Sequence, residues 1–192
     1  PTFMPVTGKE VREYFRRISD AISIPIFMQD TATSPIPASL AAQICQESEN
    51  ACYLKAENPP TPVRVAEARA LAGDKLIIFG GAGGNFLLEE LRRGAVGTMP
   101  GCALPEMYVR VWDLYQAGQD DQAQEEFNRY THLLKYLGHP LGLAYWFTKE
   151  VLRLRGVFKT NYVRHPAHPP DELGYRELRR LVEMLGLVKT PV

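Results

Sequence analysis

Ala51-Cys52-Tyr53-Leu54-Lys55-Ala56-Glu57 is the stretch on which the fold turns. A short apolar run stops abruptly on a lysine, and helical patterns lie on either side of it. The same layout recurs along the first hundred residues. Ile24-Pro25-Ile26-Phe27-Met28 is an apolar run ended by Gln29 and Asp30, and Lys75–Phe79 is one ended by Gly80. Ala95–Met99 leads into Pro100 and Gly101. Between the runs, Val11–Ile22, Ser39–Gln46, Val63–Leu71 and Asn85–Arg93 carry helical periodicity. Near-continuous apolar strands alternating with helices predict a parallel sheet covered on both faces. The run ends fall at Asp30, Glu57, Gly80 and Pro100, a repeat of 20 to 27 residues. That period suits a doubly wound sheet or a barrel. In either, chemistry sits where the strands end and the chain turns polar or glycine-rich.

After Leu104 the strand signal stops. Leu104–Ala117 reads as a helix, and Asp120 reads as the cap of one running to Leu137, with Ala123, Phe127, Tyr130, Leu134 and Leu137 as its core stripe. Leu143–Arg155 is a further helix. A loop rich in Pro and His, Val163–Pro170, precedes a last helix from Asp171. The reading is an α/β domain over residues 1–118 followed by a helical extension over 119–192.

Composition narrows the function. The 22 basic residues balance 22 acidic ones in 192, so nothing favours nucleic acid or an anionic membrane surface as partner. No apolar stretch reaches the roughly 18–20 residues of a membrane helix. Cys45, Cys52 and Cys102 have no metal-ligand spacing, and the four histidines add none. Sparse, odd-numbered cysteines predict reduced thiols and a cytoplasmic protein, with no metal and no cofactor. The opening Pro1-Thr2-Phe3 lacks methionine, signal peptide or tag, so a preceding segment is expected in the native protein.

Lys55 has two readings on chemistry alone. A lysine at a dry strand end is desolvated toward nucleophilic competence, or it snorkels or pairs with Glu57 on the same strand face. Gly80-Gly81-Ala82-Gly83-Gly84 joins a strand to a helix; its amides could cradle an anion, or its tight turn could bring backbone close to a substrate. It fits neither the dinucleotide fingerprint nor a P-loop. Gln29 and Asp30 could bind a polyol or carboxyl group, or Asp30 could cap its loop. Arg164 and His165 read as a solvated basic loop.

In this order the pieces resemble the dihydrodipicolinate synthase and N-acetylneuraminate lyase family. Pro1-Thr2-Phe3 is similar to that family's Pro-Tyr-Tyr at the end of barrel strand four. Ile24–Asp30 resembles its fifth strand, and Tyr53-Leu54-Lys55-Ala56-Glu57 resembles the sixth, Gly-Ile-Lys-Glu-Ala. Gly94–Met99 resembles its Gly-Ala-x-Gly-x-Ile eighth strand, and Val163–Pro166 its Arg-x-Pro element. The resemblance implies a (β/α)8 TIM barrel, represented here from the end of strand four through strand eight, plus a three-helix C-terminal extension. It implies a class I aldolase or lyase in which Lys55 forms a Schiff base with pyruvate or a 2-keto-3-deoxy sugar acid. Gln29 and Asp30 would share the catalytic work; Thr2, Phe3, Glu57, Gly80, Gly81 and Met99 would contact substrate. A homodimer or homotetramer is implied too. Gln29 stands where the family has a proton-relaying tyrosine, and an amide exchanges no proton near neutral pH. Phe3 also lacks a hydroxyl, so Asp30, Glu57 or a water held by Gln29 must serve. Two other readings stay open, a phosphosugar aldolase using Gly80–Gly84 and a non-catalytic homologue binding a small carboxylate.

Overall fold

The computed structural model describes residues 6–189; Thr2 and Phe3 lie outside them. The chain forms two compact units, Pro1–Pro100 and Gly101–Val192.

In the first unit four strands alternate with helices: α1 (Gly8–Ala21), β1 (Phe27–Asp30), α2 (Ala38–Glu47), β2 (Tyr53–Ala56), α3 (Thr61–Ala72), β3 (Ile77–Gly80), α4 (Leu87–Leu91) and β4 (Gly97–Thr98). The strands are parallel and lie side by side in sequence order. This is a run of consecutive βα units, as in a TIM barrel. Each of the first three strands starts and ends later than its apolar run, whereas β4 lies within its run. Apolarity marks the buried length, whereas the ladder of backbone hydrogen bonds continues into the polar mouth. Lys55 is therefore paired within β2, opposite Gln29 of β1 and Phe79 of β3.

Successive strand residues face opposite ways. Met28, Leu54 and Ile78 point to the helices and are buried with Ala41, Ile44, Val65 and Ala68 in one core. α1 docks through Phe15 and Ser19, whose Oγ accepts from Asn50 N–H. Ile22, the last residue of the helical pattern, is exposed because the helix ends at Ala21. Thr7 and Glu10 close the helix start with a capping box.

The second unit is helical: α5 (Pro105–Gln116), α6 (Asp120–Leu137), α7 (Leu141–Leu154) and α8 (Glu172–Met184). Asp171 caps α8, accepting from Gly174 N–H at 2.7 Å. Gln119, not Asp120, is the residue preceding α6; of the expected stripe Ala123, Phe127, Tyr130 and Leu134 are buried and Leu133 joins them, while Leu137 is half-buried. Buried Glu150 of α7 accepts from Arg153 (2.8 Å), Asn161 (2.8 Å) and Arg179 (3.0 Å). Its hydrogen bond from Arg153 is the main cause of a carboxyl held below its ordinary value. The group is an internal pin. Among the described residues no helix is long and apolar enough to cross a membrane.

Candidate active site

The register of β1 and β2 sets Gln29 beside Lys55 on the sheet face away from the helices. Glu57, just past β2, joins them. Lys55 Nζ lies 2.9 Å from Glu57 Oε1, and Gln29 Nε2 donates to Glu57 Oε2 at 2.5 Å. Ala82 N–H adds a third donor to Oε1 at 3.3 Å. One carboxylate thus gathers an ammonium, an amide and a backbone N–H. Burial works against its charge, but the hydrogen bonds from Gln29 and Lys55 outweigh it and hold the carboxyl below the ordinary value. Lys55 and Glu57 side chains each keep 20% of their exposure, so the pair is sheltered yet reachable by a small molecule.

Asp30 is not brought to this group. It is one residue beyond Gln29 and so faces the helices, 2% exposed. Its Oδ1 accepts from Ile36 N–H at 2.8 Å, closing the loop after β1. Burial raises its carboxyl above the ordinary value, against the pull of Ile36 N–H, Arg64 and Asn58. Of the two acids considered as proton carriers, only Glu57 reaches Lys55.

Gly80 and Gly81 have separate duties. A Cβ on Gly81 would lie 2.0 Å from Glu57 Cγ, so the missing side chain is the space that Glu57 occupies. A Cβ on Gly80 would lie 1.6 Å from Oε2 and 2.5 Å from Cδ of Glu90, on the helix side of the sheet. Glu90 is fully buried and has little room to retreat. Gly80→Ala is expected to cost about 1–3 kcal/mol by overpacking, read as a lower urea midpoint at unchanged slope; an unaltered midpoint would show that Glu90 gives way freely. In the loop beyond, Ala82 N–H serves Glu57 and Gly84 N–H serves Gly81 O, so two amides of the possible anion cradle are already engaged. Met99 is half-buried, its N–H on Gly80 O at 3.1 Å.

The architecture is that of one family. A family model for the dihydrodipicolinate synthetase family matches residues 1–185. The chain belongs to the dihydrodipicolinate synthetase family. Within it, an L-2-keto-3-deoxyarabonate dehydratase of Azospirillum brasilense is 28% identical over 188 residues, which is 95% of this chain and 60% of that protein. The dihydrodipicolinate synthase of Rhodopseudomonas palustris superposes with a TM-score of 0.85 at 29% identity, over 95% of this chain and 64% of that one. The Aquifex aeolicus enzyme gives 0.86 at 19% identity, over 99% and 65%. The chain therefore spans somewhat under two thirds of each relative.

An open cleft of about 840 Å³ lies elsewhere, in the second unit between α7 and the loop before α8. Tyr145, Lys149, Arg164, His165 and His168 line it, and it contains none of the residues gathered around Lys55. Lys149 Nζ is occupied there, donating to Tyr162 O at 2.8 Å.

Proposed function

We propose that this protein is a Schiff-base dehydratase of a 2-keto-3-deoxy sugar acid, with Lys55 as nucleophile and Glu57 as proton carrier. The observation that carries this reading is the contact of Lys55 Nζ with a Glu57 carboxylate clamped by Gln29. The dehydratase relative favours elimination of water over aldol cleavage.

One carboxylate suffices for both halves of the reaction. Glu57 takes a proton from the Lys55 ammonium, and the free amine attacks the C2 carbonyl of the substrate. After nitrogen loses its extra proton to the new hydroxyl, Glu57 returns its own proton; water leaves and an iminium forms. Ionised again, Glu57 removes a C3 proton to give the enamine. The enamine electrons then break the C4–O bond while Glu57 protonates the departing hydroxyl. A second water leaves, and hydrolysis of the remaining iminium frees an unsaturated 2-keto acid and Lys55. Gln29 transfers no proton in this scheme. It aims Glu57, the task left to it by the loss of a phenol. Asp30 holds its loop and stays outside the chemistry. The same reading carries a cytoplasmic homo-oligomer, consistent with three free cysteines.

The test is a product assay on the full polypeptide with five- and six-carbon 2-keto-3-deoxy sugar acids. The expected result is a product lacking one water and no pyruvate. Pyruvate with an aldehyde would instead mark an aldolase. Saturable binding without any product would mark the non-catalytic homologue.

A further inference from the structure

Glu90 is a buried carboxyl that the chemistry above leaves unused. It lies on α4, fully shielded, and its Oε1 accepts from Thr61 Oγ1 at 2.5 Å. Its Oε2 has no hydrogen-bond partner among the described residues. Such a group is costly to keep unless its position matters.

Its position bears on Glu57 from two directions. Thr61 is the first residue of α3 and ends the five-residue segment that begins at Glu57. The near end of that segment is tied by Glu57 N–H to Asp30 O at 2.9 Å; the far end is tied by Thr61 to Glu90. Glu90 also packs against Gly80, and the next residue, Gly81, packs against Glu57. The two carboxyl groups thus grip Gly80–Gly81, Glu90 from the helix side and Glu57 from the Lys55 side.

We infer that Glu90 is a positioning residue for the active site: through Thr61 and Gly80 it fixes the backbone from which Glu57 reaches Lys55 and Gln29. This deepens the proposed function and rests on it for the kinetic readout. Burial raises the Glu90 carboxyl from 4.5 to about 7, with the Thr61 hydrogen bond opposing and the neighbouring charge of Glu89 assisting. The other groups around it do not neutralise it. On α3, Arg64 acts on Asp30, while Arg69 is held by Gly73 O, Gly94 O and Asp74. β3 presents Gly80, β4 carries Thr98 in register with it, and Glu57 lies across the glycine pair. Among the described residues, ionised Glu90 would therefore be a buried charge beside a like charge, Glu89. Above pH 7 it is expected to pull out of its place and loosen the Glu57 segment.

The experiment compares the full polypeptide with Glu90→Gln, Glu90→Ala and Thr61→Val, in kinetics and thermal unfolding, from well below to well above pH 7. Glu90→Ala is expected to lower kcat about tenfold with a smaller change in KM, as misplacement of a reacting group does. Glu90→Gln, which still accepts from Thr61 and stays neutral, recovers most of that loss below pH 7. It also lacks the fall in kcat that the unaltered protein shows above pH 7. Thr61→Val removes only the donor and lowers kcat about fivefold. Equal pH profiles for the unaltered protein and Glu90→Gln would overturn the proposal, as would an unchanged kcat in both Glu90→Ala and Thr61→Val. Unfolding decides the ionisation without any turnover. The folded carboxyl keeps its proton where the unfolded one has lost it, so stability drops as pH rises from 4.5 through about 7 and then levels. Glu90→Gln should lack that drop, and a matching drop in it would overturn the proposal. Failure of the Schiff-base reading shows separately, as absence of turnover by the unaltered protein with this unfolding difference intact.

Discussion

Lys55→Ala is expected to lower kcat/KM on a 2-keto-3-deoxy sugar acid by roughly 10⁴-fold or more, because no other group can form the covalent link to C2. Folding should survive. The Lys55–Glu57 pair is still 20% exposed, and a pair that meets solvent contributes about 1 kcal/mol or less. Lys55→Arg separates charge from nucleophilicity. Arginine can still pair with Glu57, but its guanidinium is not deprotonated in proteins and cannot attack a carbonyl. The arginine variant should keep the alanine variant's loss of activity while matching the stability of the unaltered protein. Measurable turnover in either variant would place the chemistry elsewhere.

Glu57→Gln is expected to lower kcat by about 10²–10⁴-fold, the usual contribution of a positioned acid–base group. The amide fills the same space over Gly81 but neither takes up nor gives up a proton near neutral pH. A slow adduct between pyruvate and Lys55 should still form, so this variant separates imine formation from the later proton transfers. The pH dependence has a definite sign. The folded carboxyl lies below its ordinary 4.5, so the reactive ionised form persists as pH falls and the acid limb of kcat/KM lies below pH 4.5. The stability that the cluster contributes follows the same course, present above 4.5 and lost as pH falls through the folded value. Steady-state kinetics between neutral pH and the onset of acid unfolding checks this. An acid limb above 4.5 would assign the base role to another group.

The sequence told most about the sheet and least about which way its ends face. Four apolar runs at regular spacing were enough to expect parallel βα units, because a strand covered on both faces must be apolar along its length. Lys55 was legible for the same reason, as the first polar residue after the driest run. Gln29 and Asp30 looked equivalent in sequence, side by side at a run's end. They are not, because alternation sends neighbours to opposite faces and composition does not reveal where the ladder stops. Counting from Met28, buried against the helices, puts Gln29 with Lys55 and Asp30 behind the sheet. Glu57 could be expected near Lys55 from two-residue spacing on one strand face, but its donors on Gln29 and Ala82 come from separate segments. Glu90 left no signal. It sits in a five-residue helix, too short to show a period, and its partners Thr61 and Gly80 are distant in sequence. In sequence Gly80 reads as part of a loop able to meet a ligand; its want of a side chain makes room for Glu90.

The family holds both a 2-keto-3-deoxyarabonate dehydratase and dihydrodipicolinate synthases, so one fold serves different reactions. On the proposed mechanism the distinctive feature of this chain is its proton handling. A carboxylate is held by Gln29, Lys55 and Ala82 N–H, and in the proposed mechanism it would serve both the nitrogen and the adjacent carbon of the iminium. Such a base suits removal of a C3 proton followed by loss of the C4 hydroxyl.

Borohydride reduction in the presence of pyruvate, followed by peptide mass spectrometry of the full polypeptide, tests the covalent claim most directly. The account predicts a single pyruvate-derived adduct on the peptide containing Lys55, absent from Lys55→Ala. No adduct with pyruvate or any of a panel of 2-keto acids, or an adduct on another lysine, would contradict it.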